Sequence, residues 1–204
     1  MQLIPSSDDV LELLRQTGGL RQGHFEYPNG LHTNEHLQVA LAMSHFEIAK
    51  ILSVGLSRLI RGNPELRAMI PELSIVAPAT GGLPVAYGVS EALRARRVYW
   101  AEREGGVEAL RFRQFLKIEP GEKILLVDDI CRTGGKLTEL KKLAEDRGGE
   151  VVGLAVLIQQ PLPGAPNFDP LPFYSLAHLE ATYYKNAASC DLCQKGVPVV
   201  KTWV

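Results

Sequence analysis

The sequence predicts an α/β fold, with a central, mostly parallel sheet flanked by helices. Two observations carry this. Short apolar or β-branched runs (Ser74-Ile75-Val76-Ala77, Ile124-Leu125-Leu126-Val127, Glu150 to Ile158) alternate with stretches whose apolar residues recur at helical spacing. Such alternation implies parallel strands joined by crossover helices. Ligands of these sheets bind at the carboxyl ends of the strands. There the chain places two adjacent carboxylates and a glycine-containing turn: Asp128-Asp129-Ile130-Cys131-Arg132-Thr133-Gly134-Gly135-Lys136.

The elements follow in order. Ser7 or Asp8 is expected to cap a first helix carrying Val10, Leu11, Leu13 and Leu14. Asn34 is expected to cap a second. Its pattern runs through Phe46, Ile48, Ile51, Leu52, Leu56, Leu59 and Ile60 until Gly62-Asn63-Pro64 ends it. Ser74 to Ala77 reads as a buried strand, Pro78 to Gly82 as a turn, Val85 to Leu93 as a helix and Arg97 to Glu102 as a strand. Gly105-Gly106 marks a loop, and Leu110 to Leu116 partly alternates, as hairpin strands do. Gly121 precedes the strand leading to the acid pair. Leu137, Leu140, Leu143 and Ala144 give the helix after it, and Glu150 to Ile158 a further strand.

Composition narrows the function. A chain of 204 residues can bury the core of one domain. Its 22 basic and 23 acidic residues nearly cancel, so no basic surface advertises nucleic acid. No apolar run reaches bilayer length, the N-terminus lacks a signal-peptide pattern, and three cysteines do not suggest a disulfide framework. A cytoplasmic enzyme without membrane or nucleic-acid partners is expected.

The acid pair and its turn suggest a ligand. Free N–H groups and the dipole at a helix N-terminus favour an anion, and glycines let the backbone approach it closely. Carboxylates just upstream repel that anion but accept hydrogen bonds from hydroxyls nearby. A phosphate beside a vicinal diol describes ribose 5-phosphate.

These residues resemble the signature of the type I phosphoribosyltransferases, with an apolar strand, an acid pair and Thr133-Gly134-Gly135 in order. The resemblance extends along most of the chain. Gly23-His24-Phe25 with Gly30 to Gln38, Trp100 to Gly106, Pro120-Gly121-Glu122 and the tail Cys190-Asp191-Leu192-Cys193 with Gly196-Val197-Pro198 are similar to orotate phosphoribosyltransferases. It implies the type I fold as a single domain, with a core of about 36–159 and a small hood from about 1–35 and 160–204. It implies magnesium-dependent transfer of phosphoribosyl from 5-phosphoribosyl 1-diphosphate to a nucleobase, with orotate favoured, in a homodimer with shared active sites. Asp128 and Asp129 would hold the sugar diol, and Ile130 to Lys136 the 5′-phosphate. Ala79-Thr80-Gly81-Gly82 would form the diphosphate loop, where the family often has a cis peptide. Arg103 would reach the diphosphate from a mobile loop, with Gly105-Gly106 as its hinge. Magnesium would ride on substrate oxygens rather than in a cage of protein side chains.

Departures from the family pattern concern the base. Arg132 stands where a second Thr is usual. Gln159-Gln160 aligns with an Asp-Arg pair whose Arg meets the orotate carboxylate. Lys136 replaces Ser or Thr, and a Lys is replaced around Pro28. Arg132 and Gln160 are therefore the expected base-side residues. The alternatives are another base, such as a purine, or a non-catalytic sensor of the same diphosphate. A phosphotransfer receiver also uses an acid pair, but places it after its first strand and lacks Thr-Gly-Gly. Cys190 and Cys193 offer two ligands of a possible zinc site, with His178 as a candidate third or a dimer-related pair completing four. His24 and His32 read as loop residues near the base pocket.

Overall fold

The computed structural model describes residues 3–104, 108–113, 115–162 and 164–202. The chain forms α1 (Ser7–Gln16), β1 (Leu20–Glu26), β2 (His32–Leu37), α2 (Val39–Met43), α3 (Phe46–Arg61), α4 (Pro64–Met69), β3 (Ser74–Pro78) and α5 (Gly82–Leu93). Then come β4 (Arg97–Glu102), β5 (Arg111–Phe112), β6 (Lys123–Cys131), α6 (Gly135–Asp146), β7 (Glu150–Gln159), β8 (Phe173–His178), β9 (Tyr183–Tyr184), α7 (Asp191–Gln194) and β10 (Val200–Lys201).

Six strands make the main sheet in the order β5-β4-β3-β6-β7-β8, parallel except for β5. Alternation along the strands feeds two cores. Ile75, Ala77, Leu125, Val127, Ala155 and Leu157 face a cluster shared with α1, α3 and α5. Val76, Ile124, Leu126, Leu154 and Val156 face Leu137, Leu140 and Ala144 of α6. This is the period-two signature of a sheet covered on both faces. Each fully buried aliphatic side chain contributes about 1.5–3 kcal/mol.

Four strands, in the order β10-β1-β2-β9, form a second, smaller sheet: the hood. Its extent differs from the expected boundaries. β8 belongs to the core sheet, and α1 packs into the main core through Val10, Leu11 and Leu14. Asn34 caps no helix. It lies within β2, antiparallel to β1, and its Oδ1 accepts from Thr182 N at 2.8 Å. His24 and His32 are strand residues, not loop residues. The first helix is capped by Ser6, one residue before the expected position. Ser6 Oγ accepts from Asp9 N, and Asp9 Oδ2 accepts from Ser6 N, a reciprocal capping box that requires residues i and i+3. Of the alternating run Leu110 to Leu116, Arg111–Phe112 pairs with β4. Gly105 and Gly106 lie outside the described residues.

Strand order creates the cleft. β3 pairs with β4 on one side and β6 on the other, so the chain reverses direction across the sheet between β3 and β6. That point is where open α/β sheets hold ligands. β3 pairs with β6 only from Ser74↔Ile124 to Val76↔Leu126, whereas β7 accompanies β6 as far as Cys131↔Gln159. The sheet therefore parts at the end of β3, while β6 stays held from one side. The acid pair lies inside β6 rather than beyond it, with Asp128 opposite Val156.

Candidate active site

The parted strands open a cleft of about 520 Å³ lined by Thr80, Gly81, Asp128 to Gly134, Lys136 and Leu137. It joins the predicted diphosphate loop to the predicted ribose-phosphate turn. The Ala79–Thr80 peptide is cis. The two segments are in contact. A Cβ on Gly81 would stand 2.6 Å from Asp129 Oδ2, and one on Gly82 would stand 3.1 Å from Asp128 Oδ1. Only glycine lets the loop lie this close to the carboxylates.

The turn after β6 sets up an anion site. Gly134 is left-handed (φ 71°) and no side chain caps α6. Beyond Gly135, the N–H groups that open that helix are available to a ligand. Thr133 Oγ1 accepts from Gly135 N at 3.3 Å. Gly134 is doubly required, because a Cβ there would meet Pro166 Cγ at 2.6 Å. Gly134→Ala should cost about 1–2 kcal/mol in backbone strain alone. That lowers Tm by about 2–8 °C at this chain length. A thermal melt equal to wild type would contradict this reading of the turn.

Asp128 is fully buried and Asp129 partly so. Asp128 Oδ1 accepts from Asp129 N at 2.9 Å, and Asp129 Oδ1 accepts from Ile130 N at 2.8 Å. Burial, and then the neighbouring Asp129 charge, push the Asp128 carboxyl up to about 7. Lys136 pulls the other way. Lys136 Nζ stands 3.0 Å from Asp128 Oδ2 as an ion pair, yet no directed hydrogen bond from a described residue reaches that buried oxygen. Cys131 turns its side chain into the core below α6, where its thiol meets the Gly134 backbone N–H of the turn.

The two predicted base-side residues meet. Arg132 Nε donates to Gln160 Oε1 at 2.7 Å, and its Nη2 donates to Leu37 O at 3.2 Å. Its guanidinium lies over the Tyr27 ring at 5.3 Å. Gln160 is fully buried, and its Nε2 has no partner among the described residues. The hood supplies neighbours that local patterns did not reveal. Tyr27 and His36 are in ring contact, and Tyr183 feels the Arg132 charge. His36 is held down to about 4 by burial, then by Arg21 and Arg132, so it is neutral near pH 7. Burial pushes Tyr183 up to about 12. The hydroxyls of Tyr27 and Tyr183 and both His36 nitrogens are buried without partners among the described residues.

Arg103 is engaged elsewhere. It pairs with Glu139 of α6 and donates to Glu108 O. Glu139 Oε1 also accepts from Leu110 N, at 2.6 Å. The cysteine tail lies away from the cleft. Cys190 and Cys193 meet His24 and His32, while the expected third ligand, His178, stands on β8 of the core sheet.

Comparison with known proteins agrees with this geometry. Residues 58–167 match the family profile of the phosphoribosyl transferase domain. The chain is 35% identical over 193 residues to an orotate phosphoribosyltransferase of Carboxydothermus hydrogenoformans, covering 95% of each chain. It is 34% identical to one from Thermus thermophilus, covering 94% of this chain and 98% of that one. The crystal structure of orotate phosphoribosyltransferase from Aeropyrum pernix shares the fold with a TM-score of 0.67 at 18% identity, covering 83% of this chain and 93% of that one. A solved adenine phosphoribosyltransferase of Thermoanaerobacter pseudethanolicus shares it with a TM-score of 0.58 at 18% identity, covering 71% and 88%. The profile match and the relatives at 34–35% identity over nearly the whole chain show that the chain belongs to the phosphoribosyltransferase family, among the orotate phosphoribosyltransferases.

Proposed function

We propose that this protein transfers phosphoribosyl from 5-phosphoribosyl 1-diphosphate to orotate, giving orotidine 5′-phosphate and diphosphate, in cytoplasmic pyrimidine nucleotide synthesis. The observation that supports it most is a single cleft combining a buried acid pair, an uncapped helix N-terminus and the Arg132 guanidinium. In this reading Asp128 and Asp129 accept hydrogen bonds from the 2′- and 3′-hydroxyls. The N–H groups from Thr133 to Lys136 hold the 5′-phosphate. The Ala79–Gly82 loop holds the diphosphate. Arg132 grips the orotate carboxylate, and Gln160 fixes Arg132. Displacement at C1 breaks the bond to diphosphate and forms one to a ring nitrogen. Positive charge developing on the sugar is then offset by carboxylates fixed beside it.

Magnesium suits the donors at hand. Asp128 and Asp129 offer hard carboxylate oxygens, of which Asp128 Oδ2 is paired with Lys136 Nζ at 3.0 Å. Magnesium would supply charge neutralisation of the leaving diphosphate there. As part of the same reading two chains pair, and Arg103 exchanges Glu139 for the diphosphate in its partner's site.

The pH profile follows from Asp128. The ionised form is the hydroxyl acceptor, so kcat/KM should rise as pH passes through about 7. Lys136 lowers the Asp128 value, so Lys136→Met should move this acidic limb to higher pH. An unmoved limb would separate the profile from Asp128. The base is tested by diphosphate release with magnesium and a panel of orotate, uracil, adenine and hypoxanthine. Orotate should give the highest kcat/KM. A purine consumed in its place would leave the phosphoribosyl reading intact and overturn the orotate one.

A further inference from the structure

His24 and His32 of the hood, with Cys190 and Cys193 of the tail, bring four ligand atoms within 4.8 Å of one another. Cys190 Sγ lies 3.5 Å from His24 Nε2. Cys193 Sγ lies 3.6 Å from His24 Nε2 and 3.5 Å from His32 Nδ1. Zinc–sulfur bonds of about 2.3 Å and zinc–nitrogen bonds of about 2.0–2.1 Å give a tetrahedral S···N edge of about 3.5–3.6 Å. The three observed edges match it. The nitrogens themselves stand 2.8 Å apart, a hydrogen-bond distance.

The protonation pattern agrees. His24 Nδ1 lies 2.8 Å from Val197 O. A carbonyl only accepts, so Nδ1 carries the proton and Nε2 presents a bare lone pair to the centre of the cluster. A backbone carbonyl that fixes the tautomer of a ligating histidine is a recurrent feature of metal sites. His32 Nδ1 must then supply the proton between the two rings, and a metal ion replaces that proton. Cys190, His24 and His32 are buried, and Cys193 is half-buried. Apart from the bond between the two rings, the cluster offers its two thiols only weak sulfur contacts with the imidazoles.

The geometry points to a structural zinc site of the Cys2His2 type, formed by His24, His32, Cys190 and Cys193. Binding releases the two thiol protons and shifts the His32 proton from Nδ1 to Nε2, leaving two thiolates and two neutral imidazoles around a divalent ion. All four positions are filled by protein, so the site is closed and has no place for an activated water. None of the four lines the acid-pair cleft. The site's role lies in the hood. β9 and β10 are two residues each, and β10 joins β1 through Phe25↔Val200 and Glu26↔Lys201. So small a sheet has little core of its own. A metal joining β1 and β2 to the tail fixes the hairpin that also carries Tyr27 and His36.

The test uses tag-free protein, exposed to excess zinc and desalted. We expect one zinc per chain by elemental analysis, and less than a tenth of that in Cys190→Ser/Cys193→Ser. Replacing zinc by cobalt(II) in wild type should give the visible spectrum of a tetrahedral ion with thiolate-to-cobalt charge transfer. Two cysteines should resist a thiol reagent until a strong chelator is added, and the chelator should lower Tm. The wild-type measurements stand even where the double variant does not fold. Wild-type protein that retains no zinc, or an octahedral cobalt spectrum without thiolate bands, would overturn the proposal.

Discussion

Replacing Asp128 and Asp129 together by Asn should lower kcat/KM by at least about a hundred-fold without unfolding the protein. Each carboxylate is proposed to accept a charge-assisted hydrogen bond from a sugar hydroxyl, worth about 1.5–3 kcal/mol. Two such bonds amount to roughly a hundred- to ten-thousand-fold. The fold has no need of the charges. Burial and mutual repulsion push Asp128 up to about 7, so ionising it opposes folding. Asn at 128 can still accept from Asp129 N, which Asp128 Oδ1 does at 2.9 Å. The unliganded variant should therefore melt no lower than wild type. Thermal stabilisation by 5-phosphoribosyl 1-diphosphate should disappear, since a ligand stabilises only the state it binds. Near-normal kcat/KM in a well-folded double variant would sink the assignment.

Arg132→Thr should raise KM for orotate by roughly ten- to a hundred-fold, the value of one charge-assisted bidentate contact at about 1.5–3 kcal/mol. KM for 5-phosphoribosyl 1-diphosphate should change much less. The substitution also leaves Gln160 Oε1 and Leu37 O without the donors they have now. An unsatisfied buried acceptor costs about 1–3 kcal/mol, so some loss of Tm is expected as well. The split between the two KM values separates recognition from mere destabilisation. Adding Gln160→Arg should recover part of the orotate KM, because it returns a guanidinium to the same corner. Equal losses for both substrates would mean that Arg132 shapes the cleft without reading the base.

The core sheet was legible because its signals are local. β4 matches Arg97 to Glu102, and β6 and β7 sit where continuous apolar runs predict buried parallel strands. The acid pair and glycine turn form one short segment, so the order of side chains already carries the order of contacts. The hood was not legible. β2 reads His-Thr-Asn-Glu-His-Leu, and all but Asn34 are buried, so a mostly polar sequence is internal without any apolar alternation. β1 carries a register shift between Gln22 and Phe25 that breaks its period of two. β9 and β10 are too short to have a pattern. The Arg103–Glu139 pair spans 36 residues, and the histidine–cysteine cluster spans nearly the whole chain. Contacts of this kind are made by topology, and no window of sequence contains them.

The most direct measurement is a crystal structure of the protein with orotidine 5′-phosphate bound. The account predicts the 5′-phosphate on the N–H groups that open α6, the ribose hydroxyls on Asp128 and Asp129, and the carboxylate on Arg132. A nucleotide bound with its phosphate away from Thr133–Gly135, or with its carboxylate turned from Arg132, would contradict it.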